Sequence, residues 1–291
     1  MPIRRNLQLR QGSVSYLEQG SAREGEPTFV LIHGLMGTAS TFLPLMQALG
    51  EDCHVVAIDL PGAGESDRDP EMSSHLWSIS QCVSAILDAL SLHKPLLVGH
   101  SHGGSVALHL AASEPDRVSG LALLAPAHPY FRHADQIIAF YLSPLGRAFA
   151  HTMPWYPAWM QMAGLRRMAG PQSWDAPERL TPYRENLRTR GTIPFLLRLL
   201  RTWHSDMREL RHLLEAPFRL PTLLLWGDHD RAVPVATAGD LLKHLRSAEL
   251  HTLAGVGHRP AEERPALCAR LIEDWWAKTR TMRRLPISAA D

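Results

Sequence analysis

Five consecutive residues, Gly99-His100-Ser101-His102-Gly103, set a serine in a G-x-S-x-G pattern, and the segments on either side give the pattern its meaning. PLLVGH before it reads as a buried strand, and SVALHLAA after it reads as a helix. So tight a strand-to-helix turn tolerates only small flanking residues, strains the serine backbone and lifts the hydroxyl above the sheet. The start of the following helix also favours developing negative charge. The chemistry within reach is nucleophilic attack, provided that a base takes the hydroxyl proton, because a serine hydroxyl is a weak nucleophile at neutral pH.

Other chemistry-bearing patterns are thinner. Asp59 to Ser66, DLPGAGES, is a glycine-rich turn, but it lacks the lysine and the spacing of a phosphate loop. Sixteen histidines include no H-E-x-x-H pair, and His54, His75, His93, His109, His151, His204, His212 and His244 are scattered, so no metal site is expected. Cys53, Cys82 and Cys268 form no C-x-x-C pair, and an odd count cannot pair internally, which suggests a reducing, cytoplasmic setting. Thirty Lys and Arg against 29 Asp and Glu leave a formal charge of +1. So small a net charge sets up no global field for nucleic acid or an anionic membrane. A small molecule is the expected partner.

The elements that must position the serine are legible as short aliphatic runs: TFVLIH at 28–33, HVVAID at 54–59, PLLVGH at 95–100, LALLAP at 121–126 and TLLLWGD at 222–228. Leu76, Ile79, Val83, Ile86, Leu87 and Leu90 fall on one helical face between two of them. Alternating strands and helices imply an α/β fold with a mostly parallel sheet covered on both faces. The N-terminal residues alternate polar and apolar side chains and read as a strand pair, not as the apolar core of a signal peptide. Charges such as Arg198 and Arg201 interrupt the apolar stretches before they reach the roughly 18 residues of a membrane span.

After Pro126 the alternation stops, and helical patterns alone fill the chain up to TLLLWGD. The expected organisation is a first core segment at 1–127, an inserted helical cap at 128–216, a second core segment at 217–280 and a frayed tail at 281–291. Ile193, Leu196, Leu197, Leu200 and Trp203 form the best stripe in the insertion, while Ser143-Pro144 and the stretch from Pro154 to Pro157 should interrupt helices. Leu267, Leu271 and Trp275 mark a final helix. The insertion carries twelve arginines, no lysine and seven acidic residues, which reads as a solvated face.

Taken in order, HGLMG, DLPGAGES, GHSHGG, WGDHDRAVP and GVGH resemble the motifs of the α/β-hydrolase fold superfamily, on its serine hydrolase, esterase-like branch with a helical cap. The resemblance spans nearly the whole chain. It implies that Ser101 is the nucleophile, His258 the base and Asp230 the acid, in the chain order Ser, Asp, His. Asp228, two residues earlier, is the competing acid but follows Gly227 directly at the strand end. The resemblance also implies an oxyanion hole made by the backbone N–H groups of Leu35 and His102, with His33 holding the loop that aims Leu35.

That reading predicts hydrolysis of a small apolar ester-like substrate, a carboxylic ester, thioester or lactone, through an acyl-enzyme and without a cofactor. Dehalogenase-like and epoxide-hydrolase-like members need a carboxylate where this chain has Ser101. Hydroxynitrile lyases carry a lysine after the catalytic histidine, where this chain has Arg259. Carbon–carbon hydrolases and acyltransferases share the triad, and a slow-turnover ligand receptor can keep it. His102 and, within the aromatic and Met cluster of the insertion, Trp155, Trp159 and Met160 are the candidates for substrate contact.

Overall fold

Aliphatic runs without polar alternation can be buried only if both faces of their sheet are covered. The structure, a computed structural model, describes residues 1–131, 134–171 and 177–284. Its eight-stranded sheet comprises β1 (Ile3–Leu9), β2 (Gly12–Gln19), β3 (Phe29–Ile32), β4 (Val55–Ile58), β5 (Leu96–His100), β6 (Gly120–Leu124), β7 (Thr222–Gly227) and β8 (Ala248–Leu253). The spatial order is β1-β2-β4-β3-β5-β6-β7-β8. β2 pairs antiparallel with both β1 and β4, and every other pairing is parallel.

Two cores lie against the two faces, as the period of two along each strand requires. Val30, Ile32, Val56 and Ile58 point to one face. There they meet Ile79 of α2 (Leu76–Ala89), Val106 of α3 (His102–Ser113) and Leu210 of a long helix described below. Phe29, Leu31, Val55 and Ala57 point to the other, against Leu45 and Met46 of α1 (Leu43–Leu49) and residues of the C-terminal helix.

Between β6 and β7 run α4 (Ala134–Leu142), α5 (Pro144–Thr152), α6 (Ala158–Met168), α7 (Thr181–Arg188) and α8 (Thr192–Glu215). The prolines punctuate them as anticipated: Ser143 caps α5 by accepting from the Gly146 N–H, with Pro144 at its first position, and Pro157 immediately precedes α6. Ile193, Leu197 and Trp203 are buried along α8. After β7 come α9 (Ala238–Leu242), α10 (Pro260–Glu263) and α11 (Pro265–Arg284).

Two features differ from the sequence expectations. β8, AELHTL, shows no aliphatic run, because it is an edge strand whose residues are mostly half-buried. Helix α11 continues through Arg284, beyond the point at which the sequence suggests that packing ends, and Thr279 within it is buried. The remainder of the expected tail, 285–291, lies outside the described residues. None of the described helices is long and apolar enough to cross a membrane.

Candidate active site

The parallel register assembles the site before any side chain is considered. Ile32 lies opposite Gly99, and His100 lies opposite Leu124, so the loops leaving β3, β5 and β6 emerge side by side. Ser101 occupies the turn between β5 and α3 at φ 51° and ψ −118°, a left-handed conformation rarely tolerated by a side chain. Its N–H donates to the Leu124 carbonyl (3.1 Å), and its carbonyl accepts from Ala127 (2.9 Å) and Gly104 (2.9 Å). A Cβ on Gly99 would stand 2.6 Å from the Gly103 carbonyl oxygen, so strand and helix can approach this closely only through glycine.

Ser101, His258 and Asp230, distant in sequence, form a continuous hydrogen-bonded chain. His258 Nε2 is 3.0 Å from Ser101 Oγ, and His258 Nδ1 is 2.8 Å from Asp230 Oδ2. With Nδ1–H donating to the carboxylate, Nε2 is left as the acceptor that faces the hydroxyl, a tautomer inferred from the bonding. The Asp230 side chain is fully buried, and its other oxygen accepts from the N–H groups of Ala232 (2.8 Å) and Val233 (2.9 Å). Asp228 turns away: its side chain is 37% exposed, pairs with His229 (2.6 Å) and accepts from Gly255. That pairing with His229 is the main cause holding the Asp228 carboxyl below its usual range.

The loop after β3 turns sharply beside the serine. The Gly37 N–H closes a turn onto the Gly34 carbonyl (3.1 Å), and Met36 adopts φ 63°. Within this turn the Leu35 N–H donates to no other group among the described residues, and the same is true of the His102 N–H at the start of α3. His33 supports the loop from below, donating Nδ1–H to the Gly34 carbonyl (2.8 Å) and accepting the Leu60 N–H at Nε2 (3.0 Å). Burial lowers its pKa, which keeps the ring neutral and the Nε2 lone pair available. Asp59, at the start of DLPGAGES, is a structural anchor: its buried carboxylate takes Arg4 (2.6 Å) and the N–H groups of Ala39 and Glu65.

Beside this loop lies a narrow cavity of about 20 Å³, whose walls include His33, Leu35, His102, Ile79, Phe195 and Leu199. His102 therefore reaches the cavity wall, 4% exposed and 6.0 Å from the Trp203 ring, and burial pushes its pKa down to about 3. The structure does not bring Trp155, Trp159 or Met160 to the cavity: the two tryptophans are each 71% exposed and Met160 is 40% exposed. Phe195, Leu196 and Leu199 of α8 share the apolar part of that wall with Leu35, Leu60 and Ile79.

Sequence reasoning passed over His100, Glu263 and Asn186. His100 donates Nε2–H to the His258 carbonyl (2.7 Å) with ring centroids 5.0 Å apart, and burial, followed by the charge of His258, lowers its pKa to about 3. Glu263 holds the base loop, accepting from Gly257 (2.8 Å) and Arg259 (3.1 Å) on either side of His258, and from Gly170 at the end of the α6 segment (2.9 Å). Asn186 reaches the β3 loop from α7. No group of three or more metal-ligating side chains is gathered among the described residues.

This sheet order, with a serine at the strand-to-helix turn and a late Asp and His, is the architecture of the α/β-hydrolases. The family described as alpha/beta hydrolase fold matches residues 27–265, and the chain belongs to it. Among curated relatives, the monoacylglycerol lipase ABHD6 of Homo sapiens is 25% identical, covering 87% of this chain and 76% of that protein. The esterase YbfF of Escherichia coli is 27% identical, covering 84% of this chain and 90% of that protein. The crystal structure of Cfl2 from Burkholderia cenocepacia superposes with a TM-score of 0.82 at 24% identity, covering 94% of this chain and 95% of that one. The homologues thus support ester hydrolysis in general.

Proposed function

We propose that the protein is a serine hydrolase of small apolar ester-like substrates, with Ser101 as nucleophile, His258 as general base and Asp230 as its orienting acid. The observation that carries this reading is the Ser101–His258–Asp230 chain at 3.0 and 2.8 Å, formed by residues 28 and 157 positions apart. In the first half-reaction the Ser101 oxygen adds to the ester carbonyl carbon while His258 Nε2 takes the hydroxyl proton. The carbonyl π pair moves onto oxygen, where the Leu35 and His102 N–H groups receive the charge. Collapse expels the alkoxide, which takes the proton back from His258, and leaves the acyl-serine. Water then adds by the same route, releasing the acid and restoring Ser101.

Asp230 supports this sequence because its burial fixes the histidine tautomer and its charge stabilises the imidazolium. The insertion at 128–216 serves as the cap, and its α8 brings Phe195 and Leu199 to the cavity beside the Leu35 and His102 N–H groups, which supports α8 as the apolar side of the site. A fluorophosphonate should label Ser101, and Ser101→Ala should lose about 10⁴-fold in kcat on a p-nitrophenyl ester. Undiminished turnover by that variant would sink the mechanism, and a single stoichiometric burst from the wild type would favour a receptor.

A further inference from the structure

Helix α7 presents two polar side chains one turn apart, Tyr183 and Asn186, which are only 6% and 3% exposed. Residues three apart share a helix face. From that face Asn186 donates through Nδ2 to the carbonyls of Met36 (2.9 Å) and Gly37 (3.2 Å), while its Oδ1 accepts from the Gly64 N–H (3.0 Å) and from Arg68 (3.2 Å). Both donors and both acceptor sites of the amide are used. The bonding also fixes which atom is nitrogen, since the flipped amide would set oxygen against two carbonyls and N–H against N–H. Tyr183, on the same face, donates to Glu262 in the turn after His258, and the Arg259 guanidinium lies 5.5 Å from its ring centroid.

One helix face therefore grips both loops that flank Ser101. The grip on the β3 loop bears on Leu35. Its turn contains Met36 at φ 63°, a conformation that persists for a side chain only where the surroundings enforce it. Asn186 supplies that enforcement from outside, by fastening the carbonyls of the two residues that follow Leu35.

We propose that Asn186 is a positioning residue for the oxyanion donor at Leu35, so that the seating of α7 on the core sets transition-state stabilisation. This rests on the serine hydrolase reading above. A residue acting in this way changes binding of the tetrahedral species while leaving substrate binding alone, so kcat falls and KM does not move.

The test uses a pair of alkyl ketones. A trifluoromethyl ketone accepts the Ser101 oxygen at its carbonyl carbon, the serine proton passes to His258, and the resulting oxyanion requires the hole. The matching methyl ketone fills the same space with little addition. Asn186→Asp keeps the acceptor for Gly64 and Arg68 but loses both donated bonds. The Ki ratio of trifluoromethyl to methyl ketone should rise about tenfold or more, with a parallel fall in kcat for p-nitrophenyl butyrate and KM held within about twofold. An unchanged ratio, or equal weakening of both ketones with a raised KM, would overturn the proposal. Near-UV circular dichroism reports whether the variant folds. If it does not, Asn186→Gln retains donor and acceptor on a longer stem and should raise the ratio less but in the same direction; an unchanged ratio there overturns the proposal equally. Failure of the serine reading itself is distinguishable, because the wild type would then bind both ketones alike.

Discussion

Strain at Ser101 and at Met36 sits on the two sides of one reacting position, each conformation costing on the order of 1–3 kcal/mol. Such strain is retained where the fold over-determines it, here by the Leu124 and Ala127 bonds at one residue and by Asn186 at the other. At this scale the two aspartates separate cleanly. Asp230→Asn should lower kcat by about 10³–10⁴-fold, because the amide favours the wrong imidazole tautomer. Asp228→Asn should leave kcat near wild type, since that carboxylate faces His229 and Gly255. Steady-state kinetics on both variants decide it, and greater damage at Asp228 would reverse the assignment. Ser101, Asp230 and His258 were legible because each stands in a short motif, the first two just after a strand readable as an aliphatic run and His258 in GVGH without one. His100, Glu263 and Asn186 were not, because their partners are backbone atoms of distant segments, which leave no trace in side-chain spacing.

At the scale of elements, five strands could be read from aliphatic runs because both of their faces are covered, whereas β8 escaped notice because an edge strand has no such requirement. The inserted helices were legible as helices, whereas the place of α8 beside the β3 loop was not. Aromatic density at Met153–Met162 marks an apolar cluster, but the same residue types serve an outer surface, and Trp155 packs its ring under Arg188. Phe195 of α8, by contrast, lies on Gly62 so closely that a Cβ there would overlap its ring. Phe195→Ala should lengthen the preferred acyl chain on a p-nitrophenyl ester series, each added methylene gaining roughly fourfold in binding, about 0.8 kcal/mol, until the enlarged space is full. Trp155→Ala and Trp159→Ala should reproduce the wild-type profile. The opposite pattern would move the acyl wall from α8 to α6.

Across the whole molecule, burial of imidazoles dictates a response to acid. His100 and His102 are pushed down to about 3 and His128 to about 4, in each case chiefly by desolvation, and His33 is lowered as well. The folded chain thus declines protons that the unfolded chain binds near 6.5, so stability falls as pH drops below that value, by about 1.4 kcal/mol per pH unit for each such histidine. Glu262 works in the opposite sense: burial raises it from 4.5 to about 7 despite Arg259, so its ionisation costs stability as pH rises through that window. Urea midpoints should therefore decline steeply from pH 6.5 to 5, and Glu262→Gln should steepen the decline. A flat midpoint over that range would contradict the burial of these rings. The sheet margins carry a different consequence. β1 and β8, which close the two sides of the sheet, bear Arg4, Arg5, Glu249 and His251, whereas VVAI in β4, directly inside the β1–β2 hairpin, has no charge at all. Should that hairpin detach, β4 would become a bare margin of unpaired amides and aliphatic side chains, a template on which a second copy could add its own strand. The hairpin is thus what keeps this margin of the sheet from strand addition by a second copy.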